Sequence, residues 1–440
     1  MTYPEKVKSH LWADIHKMSE DPGRFAKNPN ADFTRERKLS FENLIRFQIS
    51  MQSGTTGHEL LKFFDYSTEA ISNSGFIQQR KKLLPTAFRH LLLEFNSHFP
   101  FKLYRGKYQL IACDGCEFNI ARNPDDPDTF HPPPEGRLAV KGHNMIHTTS
   151  LFDLINKRYL DCIVTPERRK NEFRAICDLA DRFPYHGHPV FIADRGFSCY
   201  NFFAHAIENG IFFLVRAKDL NTKRILGLKV LPEYVDQCVE LILTRSQSKK
   251  VRMRPDLDEQ YRYVDQSVAF DYIEHGSERE YPISFRVVRV EISEGIFENL
   301  ITNLPYDDVS VDELKLWYNM RWGIETSFRD LKHTIGTVNF HSKKVEYIAQ
   351  EIWARLILFN FCAIIALHVI VKQINSKYVY HVNFAMAMKI CHHFIRLRER
   401  DPPPDVLGLI GNHTLPIRPF RSFPRRNRLK NAASFCHRFS

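Results

Sequence analysis

Three carboxylates in this chain stand where an acid can do chemistry. Asp114 closes a short apolar run from Lys107 to Cys113 and is followed at once by Gly115. Asp194 closes a second such run, Pro189 to Ala193, with Gly196 two residues on. Each reads as an acid at the C-terminal end of a buried strand, the place where open α/β sheets build their sites. Glu325 lies far downstream, in a helical stretch from Ser310 to Gly336 that also carries Tyr318, Arg321 and Lys332. Steps of three, four and seven residues put these four side chains on nearly one helix face. Two converging carboxylates repel at neutral pH unless one keeps a proton or a divalent cation sits between them. Hard oxygen donors with no Cys/His set beside them select Mg²⁺, with Mn²⁺ as the alternative. Three carboxylates can hold two such ions about 3.5–4 Å apart, one activating water or a 3′-hydroxyl, the other stabilising the leaving oxygen of an in-line phosphoryl displacement. Arg321 and Lys332 would then grip phosphate oxygens, the first as a fork and the second as a point charge. A charged row on a helix is also what a solvated salt-bridge face looks like, and a single Asp is most often a turn or cap. It is the ordered set that points to chemistry.

The elements that must position these residues follow from the pattern. In the organising stretch Ser310 with Glu313 predicts a capping-box start and Gly336 a helix stop, with Leu314, Trp317, Ile324, Phe328 and Leu331 on the buried side. Residues 1–39, with Pro4, Pro22 and Pro29, read as a loose lead-in to a helical N-terminal domain over 1–100. Within it, Ser72 predicts a cap for a helix bearing Gln78, Gln79, Arg80, Lys81 and Lys82, the layout of a helix-turn-helix reader of DNA as much as of an ordinary bundle. Residues 101–217 alternate strands and helices, the first part of an α/β core. Residues 122–137, with the run from His131 to Gly136, read as a surface loop. Over 218–305 helical periodicity fades and four strand-like runs predict a β-rich insertion. Residues 306–375 complete the core with an apolar helix from Val345 to Val371, and 376–440 hold a C-terminal helical region and a basic tail including Arg425 and Arg426.

Composition narrows the setting. The 440 residues leave room for two to four units, and 43% apolar residues suffice for a core. A formal charge of +11 favours a polyanionic partner such as nucleic acid. Nine scattered Cys suit reduced thiols in a cytosol-like compartment. No apolar leader follows Met1, and the longest apolar run, Leu356 to Ile370, is shorter than the ~20 residues that span a bilayer.

On these residues the chain resembles a DDE transposase of the insertion-sequence class with the Tyr-Arg-Glu-Lys signature. Tyr318, Arg321, Glu325 and Lys332 match that signature's spacing throughout. Asp114-Gly115 is similar to the family's first Asp motif, Asp194 to Phe197 to its second, and Asn171-Glu172 and Thr302 to Pro305 to flanking segments. The resemblance implies a ribonuclease-H-like α/β core, a mixed sheet flanked by helices and split by the β-rich insertion. It implies catalytic and metal-binding roles for Asp114, Asp194 and Glu325, with two Mg²⁺ ions. Tyr318, Arg321 and Lys332 are expected on DNA phosphates, joined by Arg80, Lys81, Lys82, Arg425 and Arg426 from the flanking regions. It implies cleavage at inverted-repeat ends, a hairpin intermediate, strand transfer into target DNA, a homodimeric synaptic complex without a membrane, and a prokaryotic, nucleoid-associated setting. The alternatives are a DNA-binding protein of transposase origin that has lost catalysis, and a metal-dependent nuclease without strand transfer.

Overall fold

The computed structural model describes residues 1–133, 135, 141–184, 187–246, 261–336, 339–373, 378–398 and 401–418. Arg425 and Arg426, with the tail from residue 419 onward, lie outside the described residues.

Five helices open the chain: α1 (Tyr3–Glu20), α2 (Phe41–Ser50), α3 (Thr56–Phe63), α4 (Asn73–Lys82) and α5 (Thr86–Ser97). The reading of residues 1–39 as a loose lead-in is corrected by α1. Pro4 sits in the first turn, where its missing N–H costs nothing. Thr2 and Glu5 form a capping box, and Val7, Leu11, Ile15 and Met18 bury one face. The predicted cap at Ser72 is present, its hydroxyl accepting from the Gly75 amide at 3.1 Å.

The next elements are β1 (Tyr108–Ile120), β2 (Phe130–His131), β3 (His143–Asp153), β4 (Arg158–Pro166), α6 (Glu172–Asp181), β5 (His188–Ala193), α7 (Tyr200–Glu208) and β6 (Phe212–Ala217). Within the 122–137 loop, residues 130 and 131 form β2, which pairs with β3, and His131 meets Glu167 at 2.7 Å. The 218–305 segment supplies α8 (Asp219–Leu226), β7 (Val235–Thr244), β8 (Tyr261–Tyr263), β9 (Glu280–Ser293) and β10 (Ile296–Thr302). Then come α9 (Val311–Met320), α10 (Trp322–His333), α11 (Val345–Ala366), β11 (Tyr380–Val382), α12 (Phe384–Arg396), α13 (Val406–Gly411) and β12 (Thr414–Pro416).

Among the described residues ten strands form one mixed sheet in the order β2-β3-β1-β5-β6-β10-β9-β7-β8, with β4 also on β3. The β1–β5 and β5–β6 pairs are parallel, while β3 lies antiparallel to β1 and β4, and β10 antiparallel to β6. The strands of the 218–305 segment therefore extend the same sheet outward from β6. Side-chain alternation divides the core in two. Leu110 and Ala112 of β1, with Val190 and Ile192 of β5, face a cluster that includes α1, α2, α5, α10 and α11. Ile111 and Cys113, with Phe191 and Ala193, face α6 and α7. Among the described residues α11 is the one helix long and apolar enough to cross a membrane, and it is packed almost wholly inside the protein.

Candidate active site

Strand register brings the first two acids together. The parallel ladder between β1 and β5 runs from Tyr108 beside His188 to Cys113 beside Ala193. One residue further, Asp114 and Asp194 leave the ladder side by side, on strands about 4.8 Å apart. Alternation turns both toward the face that α10 covers, because they continue the Leu110-Ala112 and Val190-Ile192 rows. One expectation needs correcting: Asp114 does not end its strand. β1 continues to Ile120, paired with β3 alone beyond Cys113, with Asp114 opposite Ser150. β1 therefore leaves an open edge past Asp114 on the side that β5 has vacated.

Each acid is held by a local device. The Gly115 amide donates to Oδ1 of Asp114 at 2.8 Å. The Gly196 amide donates to Oδ1 of Asp194 at 2.7 Å, closing a one-turn 3₁₀ segment over Arg195–Phe197. A Cβ at Gly196 would stand 2.9 Å from that oxygen, so a side chain there would have to displace the Asp194 carboxylate. The third acid depends on the Ser310 to Gly336 stretch. The capping box at Ser310 and Glu313 forms as predicted, but the stretch is two helices with Arg321 at the junction. There the Arg321 amide bonds to Tyr318 O at 3.1 Å and the Ile324 amide to Arg321 O at 3.0 Å. These three-residue steps tighten the turn and separate α9 from α10.

At this junction Arg321 turns inward and is 5% exposed. Its Nη1 donates to Oδ2 of Asp114 at 3.2 Å and its Nη2 to Oε1 of Glu325 at 3.3 Å. The guanidinium carbon lies 5.6 Å from the centre of the Tyr318 ring and 5.1 Å from that of Trp322. Burial pushes the Asp114 carboxyl up to about 6, against the lowering effect of Arg321 and the Gly115 amide, and the charges of Asp194 and Glu325 push the same way as burial. Burial alone would lower Arg321; Tyr318, Asp114, Glu325 and Asp194 outweigh it and hold the guanidinium above its ordinary value. Tyr318 is 4% exposed, and burial raises its phenol.

A cleft of about 540 Å³ opens along the free edge of β1, walled by Asp114, Cys116, His147, Glu172, Glu325 and Lys332 among others. The Lys332 ammonium lies 5.2 Å from the centre of the Phe118 ring on β1. The structure thus joins Asp114, Arg321 and Glu325 directly, sets Asp194 beside Asp114, and places Lys332 further along the same edge. Asp194, Tyr318 and Arg321 are not among the residues that line the cleft. His147 and Glu172 are site neighbours that sequence reasoning missed. Glu172 entered as a helix start and a point of family likeness, and His147 did not enter at all. Only the order β3-β1-β5 brings them to Asp114, and no spacing along the chain carries that order.

Among the described residues no group of three or more His, Cys, Asp or Glu stands close enough to hold a metal ion as the side chains lie, and Arg321 spans Asp114 and Glu325. The donor chemistry nonetheless fits a hard divalent cation. Two register-adjacent carboxylates and a third on the facing helix offer oxygen only, and burial raises the Asp114 carboxyl even with the Arg321 guanidinium and the Gly115 amide beside it.

The flanking candidates separate. Arg80 is corrected: it is 1% exposed and cannot reach a DNA phosphate. Its Nη1 pairs with Glu351 at 2.9 Å, its Nε donates to Gln350 at 3.0 Å, and it also bonds the Tyr347 carbonyl. Lys81 is exposed, and Lys82 is half-buried, its ammonium donating to Gln79 at 3.2 Å.

The family described as transposase DDE domain matches residues 105–361. That span contains Asp114, Asp194, Tyr318, Arg321, Glu325 and Lys332. In structure the chain is similar to piggyBac transposase as seen by electron cryomicroscopy in its synaptic complex with hairpin DNA. The likeness has 10% sequence identity and a TM-score of 0.41, over 93% of this chain and 84% of that one. No curated protein matches the chain in sequence.

Proposed function

Because this chain belongs to the transposase DDE domain family, we propose that it cuts DNA at the inverted-repeat ends of an insertion sequence and joins the freed ends to target DNA. It is an enzyme of DNA transposition, and its family generally uses divalent metal ions. The observation that carries the finer reading is the convergence of Asp114 and Asp194, in successive register on parallel strands, with Glu325 on the facing helix.

Asp114, Asp194 and Glu325 would hold the cation, taken here as two Mg²⁺ ions. When bound, it supplies charge neutralisation and a more acidic attacking hydroxyl or water. In the first step water attacks phosphorus and the P–O3′ bond breaks, leaving a 3′-hydroxyl and a 5′-phosphate. In the second, that 3′-hydroxyl attacks a target phosphodiester. One P–O bond forms as one breaks, and no nucleotide cofactor is needed. Arg321, released from Asp114 and Glu325, and Lys332 would hold the non-bridging oxygens. Tyr318, packed under Arg321, would orient it toward the DNA end. The match of Tyr318, Arg321, Glu325 and Lys332 to the Tyr-Arg-Glu-Lys spacing supports the insertion-sequence reading.

The strand order β4-β3-β1-β5-β6, antiparallel on one side of β1 and parallel on the other, supports a ribonuclease-H-like core. We place its halves at 101–217 and 306–375, with 218–305 inserted and 1–100 as a DNA-binding region in which Lys81 and Lys82 remain candidate phosphate contacts. A homodimer would bring two ends together.

The test is cleavage of DNA carrying the element's end, with Mg²⁺, by the wild type beside Asp114→Ala, Asp194→Ala and Glu325→Ala, resolved on a denaturing gel. Cleavage and joined products are expected from the wild type alone, with end binding kept in all four proteins. Cleavage by Asp194→Ala would remove that residue from the site. Nicking without joined products would replace transposition by simple nuclease activity.

A further inference from the structure

Gly115 has ordinary strand geometry, so it is not there for backbone freedom. It is there because something occupies the space of a side chain. A Cβ at Gly115 would lie 2.3 Å from Oε1 of Glu172 and 2.7 Å from Cε1 of His147. These two residues are themselves paired, Nε2 of His147 to Oε1 of Glu172 at 3.2 Å. His147 is 3% exposed, and its Nδ1 is buried without a hydrogen-bond partner among the described residues. The same Nε2 lies 3.4 Å from Oγ1 of Thr149, so one ring nitrogen meets two partners and the buried Nδ1 meets none among the described residues. Such a group costs stability unless its partner has a task.

The task follows from where the carboxylate sits. Glu172 is the first residue of α6, whose cap is Asn171, and α6 covers the sheet face opposite to α10. Beyond Cys113 the edge of β1 has no β5 beside it, so residues from both faces reach the same open edge. Asp114 and Glu325 come from one face and Glu172 from the other, and all three wall the same cleft with Lys332. The Glu172 carboxylate is anchored by its ion pair with His147. The first turn of a helix favours a negative charge as well.

We propose that Glu172, oriented by His147, is a fourth carboxylate of the cation-binding cleft and strengthens its hold on the divalent cation. The inference rests on the reading that Asp114, Asp194 and Glu325 bind that cation. Supporting carboxylates of this kind change metal affinity by roughly 10–100-fold.

The test is Mn²⁺ binding to the full-length, DNA-free protein, followed by the loss of the free-ion electron paramagnetic resonance signal. Wild type, Glu172→Gln, Glu172→Asp, His147→Gln and Asp114→Asn are compared, with thermal melting as the check of folding. Glu172→Gln keeps the side chain's size, and its expected effect is a dissociation constant raised about tenfold at unchanged melting temperature. Glu172→Asp should recover part of the affinity, and His147→Gln should lose part. Wild-type affinity in Glu172→Gln with binding lost in Asp114→Asn would overturn the role of Glu172 and leave the three-acid site standing. Wild-type affinity in Asp114→Asn would overturn the three-acid site itself.

Discussion

Replacing Gly115 by alanine adds a single methyl group next to Asp114, and the structure says what it meets. The new Cβ would stand 2.3 Å from Oε1 of Glu172 and 2.7 Å from Cε1 of His147. Relieving both contacts to van der Waals distance takes a shift of about 1 Å. The Glu172 carboxylate ends a flexible chain and can swing aside, but the His147 ring is buried on β3 and cannot. The remaining movement falls on β1, whose next residue inward is Asp114. Misplacing a reacting group by about 1 Å costs on the order of 10²-fold in rate, while overpacking one methyl group costs about 1–3 kcal/mol of stability. Gly115→Ala is therefore expected to fold, melt slightly lower, and cleave the element's end about 10²-fold more slowly in single-turnover assays. Adding Glu172→Ala should recover little, because the clash with His147 persists. Cleavage by Gly115→Ala within threefold of the wild type would refute the reasoning that the added methyl group displaces Asp114.

Three further outcomes follow from buried polar groups. Arg80→Met should destabilise the protein by about 3–5 kcal/mol in urea unfolding, because Glu351 keeps a buried charge without its guanidinium partner; it should leave the salt slope of DNA binding unchanged, and a reduced slope would return Arg80 to the DNA surface. Tyr159→Phe removes the 2.8 Å bond between Tyr159 Oη and Ser327 Oγ on α10 and should cost about 1–1.5 kcal/mol in the same assay, with no loss counting against that bond. His392 is neutral in the fold: burial, then the charges of Arg396 and Arg355, lower it to about 3, although the bond to the Ser50 carbonyl works the other way. The unfolded chain takes up that proton near 6.5, so the contribution is full above 6.5 and is lost as pH falls toward 3, at about 1.4 kcal/mol per unit. Between pH 6.5 and 5 the wild type should lose about 2 kcal/mol that His392→Gln does not, and equal slopes in the two proteins would refute it.

The acids were legible because their positions are written in local patterns. An apolar run ending in Asp with a nearby Gly needs no knowledge of the rest of the chain, and the Tyr318-to-Lys332 spacing survives the break at Arg321 because a 3₁₀ step turns the chain only a little further than an α step. What was not legible was set by tertiary order. That β1 outruns Asp114 depends on β3 being its neighbour, and β3 gives no local sign of this. Arg80 carries a signal that charge counting overrides: it lies four residues after Phe76, on the same helix face, and Phe76 is buried. In α1 the prolines drew attention from the Val7, Leu11, Ile15, Met18 stripe, which is an ordinary amphipathic face.

Each acid has a local anchor, and one guanidinium links two of them. Asp114 is set by the pair beside Gly115 and by Arg321. Asp194 is set by its own turn through the Gly196 amide, independently of both helices. Glu325 is set by α10, which is pinned at its start by the Arg321 junction and two residues past Glu325 by the Ser327–Tyr159 bond. Arg321 alone touches two of the three. Its loss should leave the largely buried Asp114 without the guanidinium that now joins it to Glu325. A lysine would supply the charge but not the fork that reaches two elements at once. The geometry of this site therefore depends more on the shape of one guanidinium than on any single carboxylate it joins.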